Sequence, residues 1–273
     1  MAKKYTRKQV LERLRKVIAE GKPIIGAGAG AGIVAKCIEI GGVDLIIVYC
    51  TGKSRMMGLP TWILGDPNTL TLELAPEILF VVKETPVIAG IDLNDPSRNK
   101  EELVKKFIDM GFSGIINYPS IAMYGPECIY DYDACMKNEV KLLKNIRDEM
   151  GIFTMSYAYR PSEAKLFAEV VDVLIAHVGW TGGGLVGAPS IITLPEAAKR
   201  VQKMAELARK VNPDIIVLCH GGPIISPKDT EYIYEHANID GFIGGSSVER
   251  IPLENALISI IKDFKNVKFK KRK

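Results

Sequence analysis

Two histidines lie at the ends of predicted parallel strands, where their side chains could transfer protons. His177 ends the apolar run VDVLIAH, and His220 ends the run DIIVLCH. An imidazole changes its charge near neutral pH, so it serves readily as a general acid or base. The third histidine, His236, falls within a helical pattern and is interpreted as a surface residue. We predict that His177 and His220 are catalytic; the alternative is that both are hydrogen-bonded structural residues.

The segment FIGGSSVERIP, residues 242–252, has the composition of an anion site at the start of a helix. Paired glycines permit a tight turn, and the backbone N–H groups that follow can then converge on one point. The alternative interpretation of these residues is a tight strand-to-helix turn that Ser247 caps. The run HGGP, residues 220–223, ends the preceding strand, and the last two such loops of a barrel often form a phosphate site. We therefore predict anion-binding backbone at Gly221, Gly222, Gly244, Gly245, Ser246 and Ser247.

Side chains from two other strand ends complete the predicted pocket. Lys53 and Arg55 lie in a long segment after the second strand, from which they can close over an anion. Tyr49 is predicted to be a catalytic donor. Asn117, at the end of the fourth strand, can polarise a carbonyl group of the ligand.

The run GAGAGAG, residues 26–32, does not have the spacing of a dinucleotide-binding fingerprint. Tyr49 also stands where such a site would place an acidic residue against the ribose. Gly26 and Gly28 are instead predicted to let the backbone approach a small ligand, with close packing of strand against helix as the alternative.

Carboxylates are scarce at the strand ends. Asp92 and Asp95 follow the third strand, and Glu249, after the eighth, can pair with Arg250 or cap the helix. Mg²⁺ normally recruits one or more carboxylates together with oxygen atoms of the substrate. Asp92 is the residue predicted to hold Mg²⁺ if the protein uses it, or to orient water; no other cofactor is indicated.

Eight apolar runs rich in Val and Ile alternate with longer segments of helical period, which is typical of a parallel sheet with crossover helices. The runs span residues 23–27, 43–49, 86–92, 113–119, 152–158, 171–177, 214–220 and 240–246. Capping boxes begin helices at Thr193 and near Ser226. The long segments that leave strands span residues 50–68, 119–132 and 178–193.

We predict an α/β fold with one domain over residues 1–273, a single (β/α)8 TIM barrel; an open Rossmann-like sheet is the alternative. Within residues 1–22, a helix from Arg7 to Glu20 closes the barrel floor, and a last helix near 253–264 completes the ring. Residues 265–273 form a frayed basic tail.

Composition indicates a cytoplasmic protein that binds neither membranes nor nucleic acid. No apolar run reaches the length of a membrane span, and five scattered cysteines form no disulfide or zinc pattern. The net charge of +4 comes from the C-terminus: seven basic residues from Lys262 onward, against Asp263, leave the rest of the chain at −2. Nucleic-acid binding through this tail is the weakest hypothesis.

Four strings of the sequence resemble one family: GGVDLIIVYCTGKSRMMG, AHVGWTGGGLVGA, VLCHGGPI and FIGGSSVERIP. They are similar to the phosphoenolpyruvate hydrolase-like TIM-barrel proteins, a family that also forms the C-terminal part of a plant tobamovirus-resistance protein. The resemblance covers the chain from about Lys22 to Ile261. It implies a (β/α)8 fold, a symmetric homo-oligomer, and a distant relationship to phosphoenolpyruvate mutase and phosphonopyruvate hydrolase.

These observations support two hypotheses of different classes. In the first, the protein is an enzyme, a hydrolase or lyase that cleaves a small phosphorylated or carboxylated 2-oxo acid or enol by hydrolysis or at a C–C or C–P bond. In the second, the same pocket binds a small anionic metabolite without turnover, and the oligomer presents a regulatory surface to a partner.

Overall fold

The fold is a closed barrel of eight parallel strands in the order β1 to β8, with helices between them. The computed structural model describes residues 1–189 and 192–270. The strands are β1 Ile24–Gly28, β2 Leu45–Val48, β3 Val87–Ile91, β4 Gly114–Asn117, β5 Phe153–Ala158, β6 Val173–His177, β7 Ile216–His220 and β8 Gly241–Gly244. The helices are α1 Arg7–Ala19, α2 Gly32–Ile40, α3 Thr51–Met56, α4 Pro67–Val81, α5 Lys100–Met110, α6 Ile121–Tyr124, α7 Tyr132–Asp148, α8 Pro161–Ala168, α9 Leu194–Val211, α10 Pro227–His236 and α11 Arg250–Asn266.

Alternation along each strand divides the core into two layers. In β2, Leu45 and Ile47 face the barrel interior, whereas Ile46 and Val48 pack against the surrounding helices. Because both faces are buried, the strands read as nearly continuous apolar runs. Each of the eight predicted runs contains or overlaps one observed strand, so the predicted TIM barrel is confirmed and the open sheet is excluded.

The N-terminal helix closes the floor of the barrel, as predicted. Val10 and Leu14 of α1 are buried in the same apolar cluster as Ile24, Leu45 and other inward-facing strand residues. Thr6 caps the helix and forms a capping box with Gln9. The two predicted helix starts later in the chain are also confirmed. Thr193 forms a capping box with Glu196 at the start of α9, and Ser226 forms one with Asp229 at the start of α10.

The predicted long connections after β2 and β4 contain short helices, α3 after β2 and α6 after β4. The last helix continues to Asn266, two residues into the predicted tail, whose end at 271–273 lies outside the described residues. That helix also does not complete the ring, because only Arg250 within it is buried. Among the described helices, none is long and apolar enough to cross a membrane.

Candidate functional site

A polar cavity opens at the end of the barrel where the strands terminate at their carboxyl ends. Strand ends contribute phenol and imidazole groups, and the loops after β2, β6 and β8 contribute hydroxyls, an indole and a guanidinium. The cavity is lined by Tyr49, Thr51, Arg55, Thr61, Tyr118, Tyr157, His177, Trp180, Thr181, His220, Gly245 and Ser246. The structure thus brings Tyr49, Arg55, both strand-end histidines and two residues of the FIGGSSVERIP segment to one place.

Arg55 is the cation of this cavity, and it is buried. Its Nε donates to Glu249, which also accepts from the backbone N–H of Gly30, and its Nη1 donates to Thr51 Oγ1 at 3.1 Å. Its guanidinium lies over the ring of Tyr49, 5.1 Å from the ring centroid. Its Nη2 is buried without a hydrogen-bond partner among the described residues. A buried donor of a charged group without an acceptor is costly, so this atom marks a position for a ligand oxygen.

The ion pair corrects the expectation for Glu249, which does not pair with Arg250 and, although it is the N-cap residue of α11, forms no capping hydrogen bond with its side chain. Arg250 instead donates to Glu254 and to the carbonyl of Gly183. Because Glu249 neutralises Arg55, the pair brings no net charge to the cavity. Attraction for an anion must therefore also come from neutral donors.

Backbone donors of this kind lie at the turn between β8 and α11. The carbonyl of Gly245 accepts from the N–H groups of Val248 and Glu249, at 3.1 and 3.0 Å, so a helical turn starts here. The N–H groups of Ser246 and Ser247 form no hydrogen bond with any described residue. Orphan amides of a first helical turn attract anions. Ser246 also places its Oγ 3.1 Å from Thr61 Oγ1 at the cavity wall.

The two histidines carry their protons on different atoms, and their backbone contacts fix which. Nδ1 of His220 lies 2.6 Å from the carbonyl of Ile243, which can only accept, so this nitrogen holds the proton and Nε2 is a free base. Nδ1 of His177 accepts from the N–H of Gly179 at 3.1 Å, so its Nε2 is the donor. The ring centroids are 4.8 Å apart. One proton acceptor and one proton donor therefore stand side by side.

Both imidazoles are held neutral at pH 7. Burial lowers the pKa of His220 to about 4, an effect that the bond to Ile243 opposes and the nearby charge of Arg55 reinforces. Burial and the neighbouring His220 also lower the pKa of His177 well below its usual range. Burial raises the pKa of Tyr49, so its phenol keeps its proton and remains a donor.

Asn117 is not part of the cavity wall, contrary to prediction. Its Nδ2 donates to Glu139 at 2.7 Å, and Ser120 Oγ and the N–H of Ile121 bond the other carboxyl oxygen, each at 3.1 Å. Burial dominates these bonds and raises the pKa of Glu139 to about 7. This network links α7 to the carboxyl end of β4, and its residues lie outside the cavity wall.

His220 and Glu139 have opposite effects on the pH dependence of stability. The pKa of His220 is about 4 in the folded protein and 6.5 ordinarily, so its contribution is complete above pH 6.5 and is lost as the pH falls through 4. The pKa of Glu139 is raised, so its contribution is complete below 4.5 and is lost as the pH rises through 7. We expect the stability difference between wild type and His220→Gln to shrink by about 3 kcal/mol from pH 7 to pH 4.

Urea denaturation at several pH values measures this difference, because the contribution of Glu139 cancels between the two proteins. His236→Gln, a substitution on exposed helix α10, is the control and should follow wild type throughout. A constant difference between wild type and His220→Gln would contradict the assignment of a buried, neutral His220.

The glycines after β7 let two loops approach closely, and one of them has no free N–H for an anion. Gly222 donates its N–H to the carbonyl of Gly179 at 2.7 Å, so this predicted anion donor is already used. Gly221 and Gly222 have φ of +85° and +56°, and a Cβ on Gly221 would lie 2.1 Å from the carbonyl oxygen of Gly179. Both residues let the loops after β6 and β7 approach each other.

Gly221→Ala should lower the unfolding free energy by more than Gly42→Ala does. Gly42 has a similar φ of +88°, but its surroundings are open, so this control carries only the backbone strain of about 1 kcal/mol. The clash at Gly221 adds to that strain. Chemical denaturation compares the two variants, and equal losses would show that the loops accommodate the methyl group.

The remaining predicted glycines occupy crowded positions near the cavity. A Cβ on Gly28 would lie 2.9 Å from the Tyr49 hydroxyl and 3.1 Å from Arg55 Nη2, so this glycine leaves room for both groups. A Cβ on Gly26 would meet Ile243, and one on Gly244 would meet Val248. Gly26 and Gly244 therefore serve close packing, which for Gly26 was the alternative.

Lys53 and Asp92 do not line the cavity. Lys53 is exposed on the opposite side of α3 from Arg55. Asp92 is half-buried, its Oδ1 accepts from the N–H of Asn94 at 2.9 Å, and its pKa is raised by burial. Ser247 is beside the cavity, but its Oγ is buried without a described partner.

The donor set near the cavity does not fit a bound metal ion. No cluster of three His, Cys, Asp or Glu side chains exists among the described residues. Glu139 already uses both carboxyl oxygens within the protein, which leaves Asp92 alone. The side chains of the cavity wall are phenols, imidazoles, hydroxyls, an indole and a guanidinium, whereas Mg²⁺ prefers carboxylate oxygens.

Several wall residues were not found from the sequence. Thr51, Thr61, Tyr118, Trp180 and Thr181 all lie in connections rather than at the predicted catalytic positions. The long segments that leave β2 and β6 were the available signal, because such loops gather at the mouth of a barrel. Their individual side chains gave no further indication.

Comparisons with known proteins agree with this fold. A family model described as phosphoenolpyruvate hydrolase-like matches residues 9–267. The ToMV susceptible protein tm-1(GCR26) of Solanum lycopersicum is 39% identical over 94% of this chain and 35% of its own length. A putative transcriptional regulatory protein, y4pA, of Sinorhizobium fredii is 28% identical over 96% of this chain and 44% of its own. The chain thus spans about a third to under a half of these curated relatives.

Two solved structures share the fold at low sequence identity. Phosphoenolpyruvate phosphomutase from Streptomyces platensis subsp. rosaceus superposes with a TM-score of 0.63 at 14% identity, over 95% of this chain and 92% of its own. Phosphonopyruvate hydrolase in complex with oxalate and Mg²⁺ gives 0.61 at 14% identity, over 94% and 87%. At this identity the likeness establishes the fold alone.

Proposed function

The chain belongs to the phosphoenolpyruvate hydrolase-like family, and from that premise we propose that it cleaves a small phosphorylated or carboxylated 2-oxo acid or enol. The reaction is either a hydrolysis or another cleavage of a C–C or C–P bond. One observation carries the proposal: the unpartnered Arg55 Nη2 and the free Ser246 N–H belong to the cavity that also holds the neutral pair His177 and His220.

The cavity suits the acidic end of a small ligand. Arg55 Nη2 and the amides of Ser246 and Ser247 supply donors that no described protein group uses. The hydroxyls of Ser246 and Thr61 stand at the wall beside them. Since Glu249 cancels the charge of Arg55, the ligand is held by directed hydrogen bonds more than by net charge. Tyr118 and Tyr157 give the remaining wall an aromatic character.

The histidine pair supports bond cleavage through an enolate. Nε2 of His220 accepts a proton from water as the water oxygen bonds to the departing phosphorus or carbon atom. The C–P or C–C bond breaks, and its electron pair moves into the enolate, whose oxygen accepts a hydrogen bond from His177 Nε2–H. His220 then returns its proton to the enolate carbon, so one water is consumed and the protein regains its starting state.

Metal chemistry enters no step of this scheme, because the donor set does not fit a metal ion. Phosphonopyruvate hydrolase, which shares this fold, has been solved in complex with oxalate and Mg²⁺, and that complex supports an oxo-acid ligand class for a barrel of this fold. Asp92, the residue predicted to hold Mg²⁺, does not line the cavity, so the proposal assigns it no metal ion.

A metabolite sensor is the second candidate function. Its support is that the curated relatives carry names of a virus-susceptibility protein and a transcriptional regulator rather than of enzymes. The same anion contacts would serve a sensor, but the ligand would remain intact.

Thermal-shift titrations with oxalate, phosphonopyruvate, oxaloacetate and inorganic phosphate test the binding half of the proposal. A ligand of the folded state raises the unfolding midpoint as its concentration rises. Ser246→Pro removes the N–H at the first position of a helical turn, where proline is tolerated, and should abolish the shift. Ser246→Ala keeps the N–H and should retain most of it.

The double variant Arg55→Met/Glu249→Gln provides a second test that does not depend on the turn, and it should also lose the shift. Binding that persists in both Ser246→Pro and the double variant would exclude this cavity as the anion site. The absence of any shift with the four probes in the wild type would contradict the proposed ligand class.

A further inference from the structure

A second cavity lies beside the candidate active site, between the loop after β6 and helix α9. Its volume is about 430 Å³, within the roughly 300–1,000 Å³ of cavities that bind small molecules. His177 and Trp180 line both cavities, so the two are neighbours that share part of their walls. A ligand that extends past these two residues from the first cavity enters the second.

The wall of the second cavity differs in chemistry from that of the first. The first is lined mainly by polar side chains. The wall of the second is mainly aromatic and aliphatic, and it includes Tyr159, Val178, Trp180, Ala188 and Pro189. Such a wall binds an apolar part of a ligand, because burial of apolar surface is what it can offer.

The planar groups of this wall favour an aromatic ring over an aliphatic chain. The ring centroids of Tyr159 and Trp180 lie 4.4 and 6.1 Å from that of His177. Aromatic side chains attract a further ring through offset and edge-to-face contacts, beyond the area that they bury.

The one cation of the second cavity fits the same ligand. Arg200, on α9, lines the cavity, and its guanidinium forms no hydrogen bond or ion pair with any described residue. A planar guanidinium packs favourably on the face of an aromatic ring. Arg200 can therefore cover a ring that lies in this cavity.

We propose that the second cavity binds an aromatic substituent of the ligand. The 2-oxo acid or enol then has its acidic end at Arg55 and Ser246, and its aryl group lies beyond His177. This inference rests on the proposed function, because it needs the acidic end in the first cavity. It narrows the ligand class: phosphonopyruvate and oxaloacetate use only the first cavity, whereas an aryl-substituted 2-oxo acid uses both.

Calorimetric titrations with three oxamates test the proposal. N-methyloxamate, N-phenyloxamate and N-benzyloxamate share a 2-oxo acid unit, in which an amide replaces the bond to be cleaved, and only the last two carry a ring. At least one aryl oxamate should bind wild type about tenfold or more tightly than N-methyloxamate, because a phenyl ring is buried. Equal affinities for all three would overturn the ring site and leave the anion site standing. Binding of none would contradict the proposed function itself, and the ring site with it.

Two substitutions test where the ring lies. Ala188 and Arg200 line the second cavity but not the first. Ala188→Phe fills the second cavity and should remove most of the gain from the ring, while the affinity for N-methyloxamate stays within a few-fold. Arg200→Met, at an exposed helix position, should reduce the gain several-fold.

Matched controls are Ala19→Phe, at the exposed end of α1, and Lys199→Met, beside Arg200 on α9. Both should keep the whole gain. A gain that is undiminished in both Ala188→Phe and Arg200→Met would overturn the proposal.

The double variant Arg55→Met/Glu249→Gln tests whether one ligand spans both cavities. It removes an anion contact of the first cavity and changes no residue of the second. All three oxamates should therefore lose affinity by about tenfold or more. An aryl oxamate that binds this variant as tightly as it binds wild type would mean that ring binding is independent of the anion site, and that result would overturn the proposal.

Discussion

Arg55→Met should lower the unfolding free energy by about 3–5 kcal/mol, because it leaves Glu249 buried without its cation. The side chains of Arg55 and Glu249 are 2% and 0% exposed, so water cannot replace the lost partner. Burial already raises the pKa of Glu249 against the opposing effect of Arg55, and removal of Arg55 should drive Glu249 to take up a proton. Denaturation in urea measures the loss.

The double variant Arg55→Met/Glu249→Gln should recover much of that stability, since it buries neither an unpaired charge nor a large void. Arg98→Met provides the control, because Arg98 pairs with Asp66 and Asp95 at a partly exposed position. Such pairs contribute about 0–1 kcal/mol. If Arg55→Met were no more destabilising than Arg98→Met, the buried pair would not be the anchor that the structure indicates.

His220→Gln should lower kcat by about 10²–10⁴-fold on whichever of phosphonopyruvate or oxaloacetate the wild type cleaves, because the site loses its proton acceptor. Affinity for oxalate should change only a few-fold, since Arg55 and Ser246 remain in place. Steady-state kinetics and an oxalate titration measure the two quantities separately.

His236→Gln is the matched control for this substitution and should retain wild-type turnover. His177→Gln should also lower kcat, because it removes the donor to the enolate oxygen. Equal turnover by wild type and His220→Gln would remove His220 from the mechanism. Tight oxalate binding by a wild type that cleaves no 2-oxo acid would favour the sensor over the enzyme.

Local sequence pattern predicted the barrel well, because its causes are local. A fully buried strand is typically a short run rich in β-branched residues. The run VDLIIVY has this composition and contains the buried strand β2. Capping at Thr193 and Ser226 depends on residues three positions apart. Placement of α11 was not predictable in this way, because an amphipathic pattern identifies the apolar face but not the surface that covers it.

Site residues were predictable where a strand end fixes the position, as for His177, His220 and Tyr49. The pairing of Arg55 with Glu249 was not, because the two residues are 194 positions apart and meet only when the barrel closes. Lys53 and Arg55 looked equivalent in a loop, but in the helix α3 one faces solvent and the other the cavity. The hydrogen bond from the Gly222 N–H to the Gly179 carbonyl was likewise not predictable, because it forms only where two loops approach each other.

Anion binding by the free backbone amides of the turn between β8 and α11 is tested most directly by an amide chemical-shift titration. Titration of ¹⁵N-labelled protein with oxalate should give saturable shifts of the Ser246 and Ser247 amides. The Gly222 amide, which is already bonded to Gly179, should move little. Saturable binding that leaves Ser246 and Ser247 unshifted, with the perturbed amides elsewhere on the barrel, would contradict the proposed anion site.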